Sequence, residues 1–268
     1  MTASAGHRYA FDNDDRAATD RHRYLSAMLD EFTFGRLADL GDLTGRRCLE
    51  LGAGGGSVAA WLATRAGPTG QVTATDINTR HLRPDQGYRV LRHNLVTEPL
   101  PDGPWDVIHA RLLLIHLPER HEVLSRLAHA LAPGGALLIE EFDTAVAAPL
   151  LHTDEPELAE LFEIYHRLLV ERILPAAGND PTWARRVHTR MLTAGLVDVD
   201  TVVHARSWPG GTAGALLVAA NLAQVREDLL AAGMTPRQLD RLDRLVRSPG
   251  AVVRGHFTYS TCGRRPAD

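Results

Sequence analysis

A short apolar run, Arg47-Cys48-Leu49-Glu50-Leu51, leads without a break into Gly52-Ala53-Gly54-Gly55-Gly56, and a helical pattern with Val58, Trp61 and Leu62 on one face starts at Ser57. Strand, glycine-rich turn and helix in that order make a site for an anion or a nucleotide, because backbone N–H groups and the helix dipole both point at the bound group. Ser57 is the expected N-cap of that helix. A second β-branched run, Gln71-Val72-Thr73-Ala74-Thr75-Asp76, ends in a carboxylate 20 residues after Gly56. That spacing suits an acid gripping both hydroxyls of a ribose.

The rhythm continues. Tyr88 to Arg92 reads as a third strand and Trp105 to Ala110 as a fourth; a helix over 119–131 stops at Pro133-Gly134-Gly135, and Ala136 to Glu141 reads as a fifth strand. The connection after Asp76 holds Pro84 and Gly87, so its helix is expected to be stunted. Alternating strands and helices call for a parallel, doubly wound sheet. After Phe142 the alternation breaks. Residues 144–190 offer no strand, but Leu158, Leu161, Phe162, Tyr165, Leu168 and Leu169 share a helical face. Asp198 to Arg206 reads as a strand. Residues 212–247 read as two helices split at Gly233-Met234-Thr235-Pro236, with Thr235 as cap and Pro236 in the first turn, and Ala251 to Thr261 reads as a closing strand. Before the glycine loop, Leu25, Met28, Leu29, Phe32, Leu37 and Leu40 recur at helical spacing.

Composition removes several function classes. All 29 basic residues are arginine, which excludes lysine Schiff-base chemistry and the lysine-dependent P-loop. The net charge of −4 recommends neither nucleic acid nor an anionic membrane as partner. Two cysteines, Cys48 and Cys262, make no disulfide framework and no thiol metal site. A reduced, cytoplasmic setting is therefore expected. The first residues carry no basic segment followed by an apolar one, so no secretory leader is expected, and no run is long enough to cross a bilayer.

The glycine loop, Asp76, and the passage Trp105-Asp106-Val107-Ile108-His109-Ala110-Arg111 followed by Leu131-Ala132-Pro133-Gly134-Gly135-Ala136-Leu137-Leu138-Ile139 together resemble the class I S-adenosylmethionine (SAM)-dependent methyltransferases of bacterial small-molecule metabolism. The likeness is strong over residues 45–143 and looser at the end, Phe257 to Pro266. It implies an α/β, Rossmann-like seven-stranded mostly parallel sheet with the last strand antiparallel, and SAM over the C-terminal strand ends, released as S-adenosylhomocysteine. Carried onto this chain, the glycine motif falls on Glu50, Gly52, Ala53, Gly54 and Gly56, the ribose carboxylate on Asp76, and the apolar neighbour of adenine on Ile77. The adenine edge falls on Asn94, between His93 and Leu95, where the family often has Asp. Ala110 and Arg111 would pass the methionine end, with Arg111 equally readable as a surface charge. Tyr9, with Asp12 and Asn13, resembles N-terminal segments that fold over the cofactor. A nicotinamide dehydrogenase fits less well, because Glu50 and the Pro133-Gly134-Gly135 turn are foreign to its pattern.

Methyl transfer from a sulfonium needs no enzyme nucleophile, so only a base for the acceptor leaves a trace. His116 is one candidate, or else a buried histidine holding a backbone carbonyl. Glu140 and Glu141 point to opposite faces by strand alternation, and Glu141 and Asp143 are the carboxylates expected in the site. No histidine pair has metal-ligand spacing with an acidic third ligand, so no metal is expected. A nucleic-acid acceptor would need a basic face and an Asn-Pro-Pro-aromatic or Pro-Cys signature, which the sequence lacks. The expected partner is a small, mainly apolar methyl acceptor taking the group on oxygen or carbon; a homodimer stays open. The alternative is a SAM-binding fold that catalyses another reaction, such as cyclisation, or only binds. The expected organisation is a helical cap over 1–44, a SAM-binding core over 45–143, a helical lid over 144–190, and C-terminal strands over 191–268 with a helical insertion at 212–247.

Overall fold

The structure, a computed structural model, describes residues 16–146 and 150–268. In chain order its elements are α1 (Arg16–Ala38), β1 (Arg47–Leu51), α2 (Ser57–Ala66), β2 (Gln71–Asp76), β3 (Arg89–Arg92), β4 (Trp105–Arg111), α3 (Arg120–Ala130), β5 (Leu131–Asp143), β6 (Leu150–Thr153) and α4 (Glu157–Leu168). They continue with α5 (Leu174–Ala176), α6 (Val187–Thr193), β7 (Val197–His204), β8 (Ser207–Pro209), α7 (Ala213–Gln224), α8 (Arg226–Ala231), α9 (Pro236–Arg247), β9 (Ala251–Arg254) and β10 (Phe257–Arg264). They fall into two compact units. Of the described residues, one takes 25–143, 182–204 and 257–268; the other takes 16–24, 144–181 and 205–256.

The first unit holds a seven-stranded sheet in the order β3-β2-β1-β4-β5-β10-β7, in which β1 to β5 pair in parallel and β10 runs antiparallel to both β5 and β7. The period of two along a strand divides its side chains between two covered faces. Cys48, Val107 and Leu138 bury toward Leu37, Val58 and Leu62 of α1 and α2. Leu49, Ile108 and Leu137 bury on the other face with Leu124 and Leu127 of α3 and Met191 of α6. The stunted link after β2 is two single 3-10 turns, Thr79–His81 and Pro84–Gln86.

The structure corrects several sequence expectations. Pro133-Gly134-Gly135 does not precede β5 but lies inside it, as a bulge opposite Asp106: the register jumps from Trp105↔Leu131 to Val107↔Ala136. Gly134 turns through φ +74°, and a Cβ on Gly135 would stand 2.8 Å from the Trp105 carbonyl oxygen. Ala251–Thr261 is not one strand. It breaks at Gly255-His256, where Gly255 N–H donates to Arg206 O, and β9 belongs to a separate sheet, β6-β9-β8, in the second unit. β6 and β8 escaped notice because strands of four and three residues carry too few positions to show alternation. The 212–247 segment forms three helices, with an additional break at Val225, although Thr235 and Gln238 do form a capping box with Pro236 in the first turn.

The apolar face of α4 was expected to cover the cofactor edge. Instead Leu158, Leu161, Phe162 and Tyr165 bury into a core of their own unit, against Ala219 and Leu222 of α7 and Leu239 and Leu242 of α9. The face is satisfied by neighbouring helices, which removes the reason for reading it as a cover.

Candidate functional site

β1 delivers the chain to a loop that only glycine accommodates. Gly52, Gly54 and Gly56 all adopt left-handed backbone, at φ +61°, +53° and +81°. A Cβ on Gly56 would also collide with the buried Tyr88 hydroxyl. Gly56, not Ser57, occupies the N-cap position of α2, so the expected Ser57 cap is corrected. Ser57 Oγ instead donates to Asp30 Oδ1 at 3.1 Å and lies 3.2 Å from Ser26 Oγ, both on α1.

Asp76, at the end of β2, braces this loop. Its Oδ2 accepts the Gly54 N–H and its Oδ1 accepts the Asn78 N–H, each at 2.9 Å. Burial raises its pKa above the ordinary carboxylate value, against the backbone N–H groups of Asn78 and Gly54, which favour the charged form. A carboxylate has about four lone-pair sites, so the pair of oxygens keeps capacity for a ligand. Ile77 beside it is 58% exposed, so its side chain is open to an apolar ligand face. The Asp76 carbonyl accepts the His93 N–H, which draws the loop after β3 to the same edge. There His93 Nε2 meets the Pro99 carbonyl, Leu95 is buried, and Asn94 Oδ1 accepts the N–H groups of Val96 and Thr97. With that oxygen occupied by backbone, the amide expected to accept from adenine can only donate through Nδ2. Gly52, Gly54, Gly56, Asp76, Ile77 and Asn94 thus gather at one edge; Tyr9 lies outside the described residues.

Glu50 and Arg111 are placed otherwise than expected. Glu50 is buried, and its Oε2 pairs with His109 Nδ1 at 2.6 Å. His109 is wholly buried between two carboxylates, with Nε2 3.5 Å from Glu140 Oε2. Thr33 Oγ1 donates to Glu140, and Arg111 donates to both Thr33 Oγ1 and Asp30 Oδ1 at 2.9 Å. Arg111 is therefore tied to α1. Sequence reading missed His109 as a functional group. A signal was present: Glu50, His109 and Glu140 share strand parity with Cys48, Val107 and Leu138, the face that α1 and α2 cover.

Burial opposes a charge on His109, but the Glu50 charge and the acceptance of its N–H groups by Glu140 and Glu50 prevail and lift its pKa to about 9. Burial likewise opposes Glu140, whose pKa is nevertheless held below the usual range by the hydrogen bond and charge of His109. The sign of the linkage follows. A histidine raised from 6.5 to about 9 contributes stability that is complete below pH 6.5 and lost as pH rises through about 9. We expect the melting temperature to fall between those values, for a loss on the order of 3 kcal/mol. A scan that stays flat across that interval would show His109 to be neutral in the folded chain.

The β4 exit holds the residues expected to move protons. Leu112 takes a left-handed backbone at φ +52°, rare for a leucine, and a 3-10 turn, Leu114–His116, follows. Glu141 is fully buried and its Oε1 accepts the Ile115 N–H at 3.1 Å. Burial pushes its pKa up to about 8 despite backbone N–H groups from Ile115, Leu114 and Leu113. Through Oε1 it braces the turn, while its buried Oε2 has no hydrogen-bond partner among the described residues. Asp143 is also buried and grips Arg185 at 2.6 Å (Oδ2 to Nε) and 3.1 Å (Oδ1 to Nη2), so the expected catalytic carboxylate is an ion-pair partner. His116 closes the turn, 9% exposed. Glu140 and Glu141 do separate to the two faces.

Comparison with known proteins agrees with this geometry. A methyltransferase-domain family model matches residues 18–182, more than half of the chain. The methyltransferase str2 of Strobilurus tenacellus is 42% identical over 107 residues, covering 38% of this chain and 38% of that protein. A ubiquinone/menaquinone biosynthesis C-methyltransferase of Bordetella parapertussis is 34% identical over 155 residues, covering 55% and 57%. The chain thus spans less than two thirds of either relative. Among solved structures, the Haemonchus contortus phosphoethanolamine N-methyltransferase 2, in complex with phosphomonomethylethanolamine and S-adenosylhomocysteine, superposes with a TM-score of 0.59 at 14% identity, over 99% of this chain and 61% of that one. The Bacillus subtilis YcgJ protein does so with 0.57 at 12%, over 88% and 99%. With a glycine loop braced by Asp76 and an antiparallel β10 inserted beside β5, the chain belongs to the methyltransferase-domain family, within the class I SAM-dependent methyltransferases.

Proposed function

We propose that this protein transfers the methyl group of SAM to a small, mainly apolar metabolite, on carbon or oxygen. The observation that carries the reading is Asp76: a carboxylate at the end of β2, held by the Gly54 N–H, with exposed Ile77 beside it. When bound, SAM supplies an electrophilic methyl on a sulfonium with a neutral leaving group. The chain's own work is placement and exclusion of water. Asp76 accepts the two ribose hydroxyls with its remaining lone pairs. Ile77 covers the adenine face, and Asn94 Nδ2 donates to its edge. His116, on the turn that leaves β4, takes a proton from an acceptor hydroxyl or acidic C–H; Glu141, whose buried Oε2 has no partner among the described residues, is the second candidate. Likeness to a quinone-pathway C-methyltransferase supports carbon, and the Leu- and Ala-rich composition of 144–190 and 212–247 supports an apolar acceptor.

The test is to incubate the protein with methyl-labelled SAM and an extract of its host and to follow the label by mass spectrometry. One apolar metabolite should gain a single labelled methyl. The His116→Gln variant should do so more slowly by about 10²–10⁴-fold with SAM affinity unchanged. A product without label, formed only when SAM is present, would establish a non-methylating reaction instead. Equal turnover in the variant would remove His116 as the base.

A further inference from the structure

The contacts around His109 do not end in the sheet. From Glu140 they pass through Thr33 to Arg111, then to Asp30, and on to Ser57, the first residue of α2. Thr33 Oγ1 donates to Glu140 while accepting from Arg111, so the direction of every donor along this part is settled by its neighbours. Charges alternate: Glu50, Glu140 and Asp30 against His109 and Arg111. Apolar burial of Leu29 and Leu37 would by itself press α1 onto the sheet. It would not select one register, because apolar contacts tolerate sliding. The polar chain does select one. Thr33, His109 and Glu140 are each 0% exposed, so no water replaces a partner lost when α1 shifts. Leaving such groups unpaired is costly, which makes docking of this helix close to all-or-none.

We propose that this buried chain couples α1 to the glycine loop, so that docking of α1 and binding of the cofactor reinforce one another, with Asp30 and Ser57 as positioning residues. The proposal rests on the reading of the loop as the SAM site. Asp30 holds Ser57, and Ser57 follows directly on left-handed Gly56, so the place of α1 sets where the loop meets α2. A ligand that favours the loop's set conformation must favour docked α1 to the same degree, since coupling between sites is reciprocal.

Hydrogen exchange on the full chain tests it, with S-adenosylhomocysteine as the probe. In the wild type, saturating probe should slow exchange both at 52–57 and in α1 over residues 26–37, the latter by about tenfold. In Asp30→Asn the loop should still be protected at saturation, while the slowing over 26–37 falls below about threefold and the probe binds about tenfold more weakly. A residue that merely stabilises the fold would lower the melting temperature and leave the ligand-induced slowing of α1 intact. Should Asp30→Asn fail to fold, Ser57→Ala, which removes one half-buried hydroxyl, is expected to show the same loss of slowing. Protection of the loop without α1 in the wild type, or undiminished slowing in the variants, overturns the coupling. No protection at the loop overturns the SAM reading and the coupling with it.

Discussion

Replacing Asp76 by alanine should weaken SAM binding at least a hundredfold. A hydrogen bond to a charged group is worth about 1.5–3 kcal/mol, and in the proposed function the ribose presents two hydroxyls to this carboxylate. Two such bonds correspond to roughly 10²–10⁴ in affinity. Asp76 also holds Gly54 and Asn78 through their backbone N–H groups, so the substitution releases the loop as well as the ligand. The melting temperature of the free protein should therefore drop too. Titration calorimetry on wild type and variant measures the first effect and a thermal scan the second. An unchanged dissociation constant would place the ribose elsewhere and remove the functional meaning assigned to the glycine loop.

Truncating His109 to alanine should destabilise the fold by about 3–5 kcal/mol. The histidine stands between Glu50 and Glu140, which are 2% and 0% exposed. Its loss leaves two carboxylates in apolar surroundings with a cavity where their counter-ion stood. Desolvation then drives at least one of them to take up a proton, and the variant should gain stability on acidification below pH 6.5, where the contribution of His109 to the wild type is already complete. Urea unfolding at neutral and mildly acidic pH measures both. Replacing His109, Glu50 and Glu140 together by apolar residues of similar volume should recover much of the loss, because a buried ion cluster carries its own desolvation cost. A loss below about 1 kcal/mol in the single variant would mean that the cluster is not charged in the folded chain.

Of the acceptor side, the part assigned to His116 follows from its place on the turn that leaves β4. Asp143 and Glu141 were attractive in sequence because they close β5, at the edge where open α/β sheets bind ligands. Position in a strand says where a side chain begins, whereas its partner is decided elsewhere: Arg185 comes from 42 residues further along and Ile115 from 26 residues before.

The same division runs through the whole molecule. Local sequence was sufficient for β1, β2 and β4, for the left-handed glycines between β1 and α2, for Asp76 at the end of β2, and for the Thr235 cap, because each depends on residues within a few positions of one another: apolar period, φ freedom at glycine, side-chain capping. The parallel sheet followed from repetition of those local units. Tertiary structure alone decided what lies far apart along the chain. Glu50 meets His109 across 59 residues and Thr33 meets Glu140 across 107, contacts that exist only because β1, β4 and β5 lie side by side with α1 over the face that carries Cys48, Val107 and Leu138. The face of α4 likewise showed in sequence that it must be buried, but not against what, since an apolar stripe carries no address. Burial free energy is non-directional; the choice of α7 and α9 as its partners belongs to the fold as a whole.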